Sequence, residues 1–473
     1  MEARNIFHNI SPIDHRYSIS EKAVYQSLVP WISEEAAIAA CVKAEIALII
    51  AHLTVRGKMT SETRAELENC AVDPAEVYAE EEKTGHNIRA LVNVLKRKVP
   101  PELAPLVHLG ATSVDILDTG LSWRIAGVTR EAALPLLKKL ELLLCSFAQR
   151  EAETPQVGRT HGQHAVPITL GFAFAEYVSR LGKSILEIEK RSKELKGKLS
   201  GAVGAYNATS MIVKDPEELE RVYLAELKLE PSEHSTQLVE PEYLLRLLLE
   251  FNVAFGIIAN LADDLRNLQR SEIGEVREGF GATQVGSSTM PQKRNPWNSE
   301  HVKSLWKAFM PRVNTFFMDQ ISEHQRDLSN SASQRFIADY IAGFCLAVSR
   351  MTGVIEGLGA DRERLSANLR GGGIPGGIMA EPAYILLAET GVSDAHEVIR
   401  RITLAAESEK SSFSAALAKE PDVLGKIGGK LAELGLIPSP SEVLTFFENP
   451  QAYNGLASKK AKTLAEKYSK LMN

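Results

Sequence analysis

The feature that most constrains this chain is a set of long apolar stripes at helical spacing. Leu121, Ile125, Val128, Ala132, Leu136, Leu140, Leu143 and Phe147 recur at steps of three and four, which puts them on one face of a helix. The spacing returns at Leu170, Phe174, Tyr177, Leu181, Ile185 and Ile188, and again at Leu244, Leu248, Phe251, Phe255, Ile258, Ala262 and Leu265. Two more runs cover residues 302–316 and 337–351. Helices of thirty or more residues would each run about 45–55 Å at 1.5 Å per residue, and five of them imply an elongated bundle. Segments such as LLRLLLEF and LELLLCSF are apolar on more than one face, which predicts an oligomer whose bundles pack together.

Prolines punctuate this pattern. Pro167, Pro241 and Pro296 stand where a first helical turn is expected, whereas Pro135 and Pro311 fall inside helical patterns and predict kinks. Strand patterns are scarce. The expected fold is all-α with three helical domains: an N-terminal domain over 1–111, a central long-helix bundle over 112–364, and a C-terminal helical domain over 365–473. The run GGGIPGG at 371–377 reads as a linker or tight loop opening the last of these.

Charge and cysteine usage exclude several function classes. With 54 Lys+Arg against 60 Asp+Glu, the net charge of -6 argues against general nucleic-acid binding and polybasic membrane binding. Four widely spaced cysteines (Cys41, Cys70, Cys145, Cys345) show no metal-ligand spacing and no disulfide framework, which predicts a reducing, cytoplasmic setting. The opening MEARNIFHNISPID lacks the apolar core of a signal peptide. The most apolar stretch, 243–262, is broken by Arg246, Glu250, Asn252 and Asn260, so no membrane span is expected.

Four segments between helices concentrate residues that titrate, donate or bend: TGHN (84–87), HLGATSVD (108–115), GRTHGQHAVP (158–167) and GATQVGSSTMPQKRNP (281–296). In the last, Gly279, Gly281 and Gly286 allow a loop to open and close, and Ser287, Ser288, Lys293, Arg294 and Asn295 suit a polyanionic substrate. The bland alternative is a solvated glycine-rich connector; a P-loop is excluded because no GxxxxGK[ST] occurs. His161, His86 and His108 are each either general acid/base candidates or satisfied loop histidines. His164, three residues from His161, lacks a carboxylate at helical spacing, so no metal site is expected. His52 and His396 sit in helical stretches and read as ordinary. Arg326 and Arg335 are either solvated charges or anion clamps.

HLGATSVD, GRTHGQ and GSSTMPQKRNP, in that order, resemble the three signature regions of the fumarase/aspartase superfamily. Within it the chain most resembles the adenylosuccinate lyase family. SPIDHRYS is similar to that family's Arg-Tyr phosphate contact (Arg16, Tyr17), and TGHN to its histidine segment (Gly85, His86, Asn87), where Asn87 replaces the usual Asp. STQLVEP is similar to its nucleotide-contacting segment (Gln237), and RDLSNSASQR to its phosphate-side motif (Arg326, Ser331, Arg335). The resemblance implies cleavage of adenylosuccinate to AMP and fumarate, and the parallel cleavage of SAICAR to AICAR. It implies His161 as acid, Ser287 as base, Lys293 and Asn295 as stabilising donors, Glu300 as charge partner for the histidine, and His86 as a further catalytic residue. It adds His108, Thr112, Ser113, Ser288 and Arg294 to the substrate-binding set. No metal or redox cofactor is implied, and the expected assembly is a homotetramer with sites between subunits. Rival readings are a sister lyase acting on argininosuccinate or carboxymuconate, a crystallin-like relative without activity, and a helical binding module. The phosphate-clamp residues weigh against the first. Retention of His161, Ser287, Lys293 and Asn295 weighs against the second, and the loop chemistry against the third.

Overall fold

The computed structural model describes residues 5–281 and 286–473. Residues 1–4, from the N-terminal stretch read for a signal peptide, and 282–285, from the glycine-rich segment, lie outside the described residues. Helix dominates, as the stripes predict. The elements that matter for function are α1 (Glu34–Val55), α2 (Asn87–Lys98), α3 (Ser113–Val128), α4 (Leu134–Arg150), β1 (Pro155–Thr160), β2 (Gln163–Thr169), α5 (Leu170–Lys193), α6 (Pro216–Glu226), α7 (Glu242–Leu268), α8 (Trp297–Phe309) and α9 (Ile337–Glu356).

Helices α3 and α4 join through a π turn, Thr129–Ala133, so the helical path is unbroken from residue 113 to residue 150. Pro135 explains the turn: it has no N–H to give the preceding turn, and the Leu134 N–H instead reaches back five residues to the Thr129 carbonyl. The extra residue rotates the buried face. Before the turn the stripe holds, with Ile125 and Val128 buried; after it burial moves to Leu134, Leu137, Leu140 and Leu144, and Leu136 and Leu143 are only half-buried. The stripes of α5 and α7 need no such correction, because Phe174, Leu181, Ile185, Phe251, Phe255 and Ile258 are all buried.

Three expectations change. The expected run over 302–316 stops at α8 and passes through a 3-10 turn, Met310–Arg312, at Pro311. Most long helices are shorter than thirty residues, α7 having 27 and α5 having 24. The segment 158–167 is not a loop: it forms a β-hairpin, and Pro167 is not a helix start but a β2 residue opposite Val157.

The chain divides into two compact units. The first comprises Met1–Lys138, Lys183–Ile258 and Ser304–Ser349. Helix α1 is apolar all round, which is why it is buried on nearly every side, packed among Leu91, Val94 and Leu95 of α2 and Leu219 and Tyr223 of α6. In the same unit Phe344 of α9 packs edge-on against Phe251 and Phe255 of α7 at centroid distances of 4.9 and 5.5 Å. The second unit comprises Lys139–Gly182, Ala259–Lys303 and Arg350–Asn473. Its C-terminal helices close a separate core around Leu387, Ile399, Phe413, Leu431 and Phe447. The glycine run at 371–377 precedes that core; Gly372 and Gly376 take φ of 117° and 73°, which side-chain-bearing residues seldom adopt.

By length and composition alone, three stretches could cross a membrane: Lys22–Val55, Glu242–Leu268 and Ser333–Glu356. The stretch 243–262, expected to be too polar to span, is apolar enough by composition, since only Glu250 is charged between Arg246 and Asp263. In the fold, most of each apolar window is buried against protein.

Candidate active site

The hairpin carries His161 at its tip. Strands β1 and β2 pair antiparallel, and the register breaks between Val157 and Arg159, where Gly158 lies too close to the Val166 carbonyl for a Cβ. His161 and Gly162 make the turn with φ of 53° and 74°, and His161 is exposed. Below the tip, the fully buried Glu275 accepts from Arg159 Nη2 at 2.6 Å and Nη1 at 3.1 Å, from Gln156 Nε2 at 2.8 Å and from Asn368 Nδ2 at 2.9 Å. A fork-to-carboxylate pair of this kind fixes direction as well as distance. His164 lies opposite Arg159 in the register, and its imidazole is held below the usual range by desolvation first and the Arg159 charge second.

The segment after Gly286 is also locally tied. Asn295 Nδ2 donates to the Gly286 carbonyl at 3.1 Å, and a Cβ on Gly286 would clash with the Lys293 carbonyl. Ser287 Oγ accepts from the Met290 N–H at 3.1 Å and, more weakly, from the Thr289 N–H at 3.4 Å. Two amide N–H groups aimed at a hydroxyl oxygen favour negative charge on it. Lys293, Arg294 and Ser288 are exposed, and the Arg294 guanidinium stacks over the Phe280 ring at 5.1 Å. Glu278 caps the following helix, accepting from the Ser299 N–H at 2.8 Å and Oγ at 2.5 Å. Glu300 stands exposed in the first turn of α8. Among the described residues no hydrogen bond joins His161 to Ser287 or Glu300 within one chain.

In the first unit, 108–115 is pinned from beneath. His108 has φ of 62°, and Thr112 and Asp115 form a capping box that starts α3, with Thr112 N–H donating to Asp115 Oδ2 at 2.7 Å. The other Asp115 oxygen pairs with the fully buried Lys198 ammonium, which also donates to the Gly201 carbonyl at 3.1 Å. Glu220 completes this network by accepting from the Leu199 N–H and the Tyr206 hydroxyl, both at 2.6 Å, and burial raises its carboxyl above the usual range. Ser113, the first residue of α3, is half-buried.

The remaining expected residues sit in the same unit. His86 caps α2, its Nδ1 accepting from the Arg89 N–H at 3.3 Å, so the proton of the neutral ring is on Nε2. Gly85 takes φ of 63° where the preceding helix ends, and Asn87 Oδ1 accepts from the Ile88 N–H at 2.8 Å. Arg16 and Tyr17 lie in a π turn, Ile13–Tyr17, with Arg16 exposed. Gln237 donates its backbone N–H to the Gln325 carbonyl at 3.3 Å, which brings it beside Arg326. Arg326 is less available than expected. Its terminal nitrogens donate to the Asp319 and Gln320 carbonyls, both at 3.1 Å, and its Nε is buried without a partner. It lines a cleft with Asp118, Leu238, Asp319, Asn330 and Gln334, where burial pushes the Asp118 carboxyl up to about 6. Ser331 and Arg335 are exposed.

Sequence reasoning missed Glu45, Glu275, Glu278 and the Asp115–Lys198 pair. The spacing of Thr112 and Asp115 carried a readable capping signature, and Glu45 stood out as one charge in an apolar run. Nothing local marked Glu275 or Glu278. No group of three or more His, Cys, Asp and Glu that could hold a metal ion occurs among the described residues.

Comparison with known proteins places these parts in a family. The profile of a family described as Lyase matches residues 14–308, and one described as Adenylosuccinate lyase C-terminal matches residues 322–436. Curated relatives named adenylosuccinate lyase include one from Pyrococcus abyssi, 32% identical over 88% of this chain and 91% of its own length. Another, from Pyrococcus horikoshii, is 34% identical over 85% and 88% of the two chains. The chain belongs to the adenylosuccinate lyase family. A third member, from Methanocaldococcus jannaschii, is 31% identical and spans 95% of this chain and 94% of its own. Among solved structures, the 3-carboxy-cis,cis-muconate lactonizing enzyme of Pseudomonas putida superposes with a TM-score of 0.78 at 24% identity, covering 95% of this chain and 98% of that one. A fumarate lyase from Mesorhizobium sp. BNC1 gives 0.79 at 21%, covering 93% and 97%. At that identity the likeness shows the fold alone, and that fold is a mostly helical, multi-domain one.

Proposed function

We propose that this chain cleaves adenylosuccinate to AMP and fumarate, and SAICAR to AICAR and fumarate, in the cytoplasm. Ser287 removes the proton next to a carboxylate of the succinyl group, negative charge builds on that carboxylate, and the C–N bond breaks as His161 protonates the leaving nitrogen. Lys293 stabilises the dianion, Asn295 holds the loop, and Glu300 serves the histidine. Arg16, Tyr17, Gln237, Ser331 and Arg335 take the nucleotide, with Arg326 behind them. The observation that carries the chemistry is the pair of backbone donors on Ser287 Oγ, which lowers the energy of the alkoxide that the elimination needs.

We further infer that the site forms between copies of the chain in a homotetramer. A helix of 38 residues, the length of the path over 113–150, is roughly 57 Å long, and one nucleotide is far shorter. Half-buried Leu136, Leu142 and Leu143 on α4 supply apolar surface for a neighbour. The four free cysteines fit a reducing compartment. Absorbance on adding adenylosuccinate, argininosuccinate or carboxymuconate in turn tests the reading. Turnover of the first alone is expected, and turnover of only another would replace it with a sister lyase.

A further inference from the structure

The carboxylate of Glu45 takes no part in the reaction proposed above, yet both of its oxygens face a residue of the site. Glu45 lies midway along α1 with its side chain fully buried. Oε2 accepts the His108 backbone N–H at 3.0 Å, and Oε1 meets His108 Nδ1 at 2.6 Å. A carboxylate can only accept, so Nδ1 carries the proton and Nε2 of the neutral ring keeps its lone pair. His108 Nε2 has no partner among the described residues, and the side chain is 22% exposed.

The backbone explains why two contacts are needed. His108 holds φ of 62° without being glycine, a conformation that persists only where surroundings enforce it. The same helix secures the next residue: His52 Nε2 donates to the Leu109 carbonyl at 2.8 Å, and burial lowers the His52 imidazole below its usual range. Two side chains of one rigid helix thus set both the path of the loop and the direction of one ring.

We propose that Glu45 is a positioning residue of the active site, which fixes His108 as its Nδ1–H tautomer and presents Nε2 to the substrate. This rests on the reading that His108 binds substrate. Nε2 then accepts from a substrate donor. A glutamine at position 45 has one acceptor oxygen for two donors. Its amide N–H would face Nδ1, which can accept only after its proton has moved to Nε2. Glu45→Gln therefore turns the ring nitrogen at the substrate into the wrong kind of partner while barely altering shape.

Two measurements on the full-length protein test this. In 15N-histidine-labelled protein, with the His108 signals assigned by their loss in His108→Ala, wild type is expected to show Nδ1 protonated and Nε2 bare; the reverse overturns the proposal whatever the substrate is. In steady-state kinetics with adenylosuccinate, Glu45→Gln should lower kcat/KM by roughly ten- to hundred-fold, the range of a charge-assisted hydrogen bond. The double variant with His108→Ala should be no worse than His108→Ala alone, because Glu45 acts through that ring. Wild-type kinetics in Glu45→Gln, or losses that multiply in the double variant, would overturn it. If Glu45→Gln fails to fold, the same cycle with Glu45→Asp, which keeps the charge but withdraws it by one methylene, decides by the same criterion. A wild type inert to adenylosuccinate but with the expected tautomer would refute the proposed function and leave the Glu45–His108 geometry standing.

Discussion

Replacing Glu275 with alanine should loosen the hairpin that carries His161, and the structure sets the size of the effect. Glu275 is fully buried and accepts four donors: two from Arg159, whose side chain is 17% exposed, and one each from Gln156 and Asn368. Alanine leaves a mostly buried guanidinium without its counter-charge and the Gln156 amide without its acceptor, whereas Asn368 keeps the Ile273 carbonyl. Breaking a buried pair from one side costs about 3–5 kcal/mol. Glu275→Gln keeps the shape and one acceptor and should lose about 1–3 kcal/mol. Urea unfolding followed by circular dichroism would rank the two. Steady-state kinetics should show kcat falling on the order of 10²-fold for the alanine variant, with KM changed far less, because the displaced group is the proposed acid and not the nucleotide clamp. An alanine variant within about 1 kcal/mol of wild type, with normal kcat, would refute the reasoning.

Ser287→Ala and His161→Ala should each fold normally and lose at least about 10²–10⁴-fold in turnover, measured by absorbance. Arg335→Met should weaken AMP inhibition roughly ten- to hundred-fold with the circular dichroism spectrum unchanged; unchanged inhibition would remove Arg335 from the phosphate site. Burial pushes the Glu141 carboxyl up to about 9 from an ordinary 4.5, and its Oε2 is buried without a partner. The native state therefore holds a proton that the unfolded chain releases, so this contribution is full below pH 4.5 and is lost as pH rises toward about 9. Glu141→Gln should flatten that fall and raise the unfolding midpoint at pH 8, whereas a variant with the wild-type pH dependence would contradict the burial argument.

The sequence made the helices legible because their signal is repetitive. Six residues of the α5 stripe, from Leu170 to Ile188, were read as one face and are all buried. The α4 face departs in part because a π turn changes the phase: Leu140 and Phe147 are buried, Leu136 and Leu143 only half-buried, and Pro135 is the local sign of it. The hairpin escaped because GRTHGQHAVP alternates poorly and its order comes from Glu275, more than a hundred residues away. The candidate site is proposed from chemistry legible in the histidines and the serine-lysine-asparagine loop, and from the resemblance. Its supports are not legible there. Glu45, Glu275 and Lys198 act through contacts at long sequence separation, which no local pattern encodes.

We propose an adenylosuccinate-cleaving site that draws the 108–115 segment from one copy of the chain and the His161 hairpin from another. Mixing inactive His108→Ala and His161→Ala proteins under conditions of subunit exchange, with exchange verified by ultracentrifugation of a size-tagged partner, tests it most directly. Random exchange should restore about a quarter of the wild-type sites, and with them about a quarter of the adenylosuccinate turnover. Verified exchange with no recovered activity would mean that each chain builds its own site, and would contradict the account.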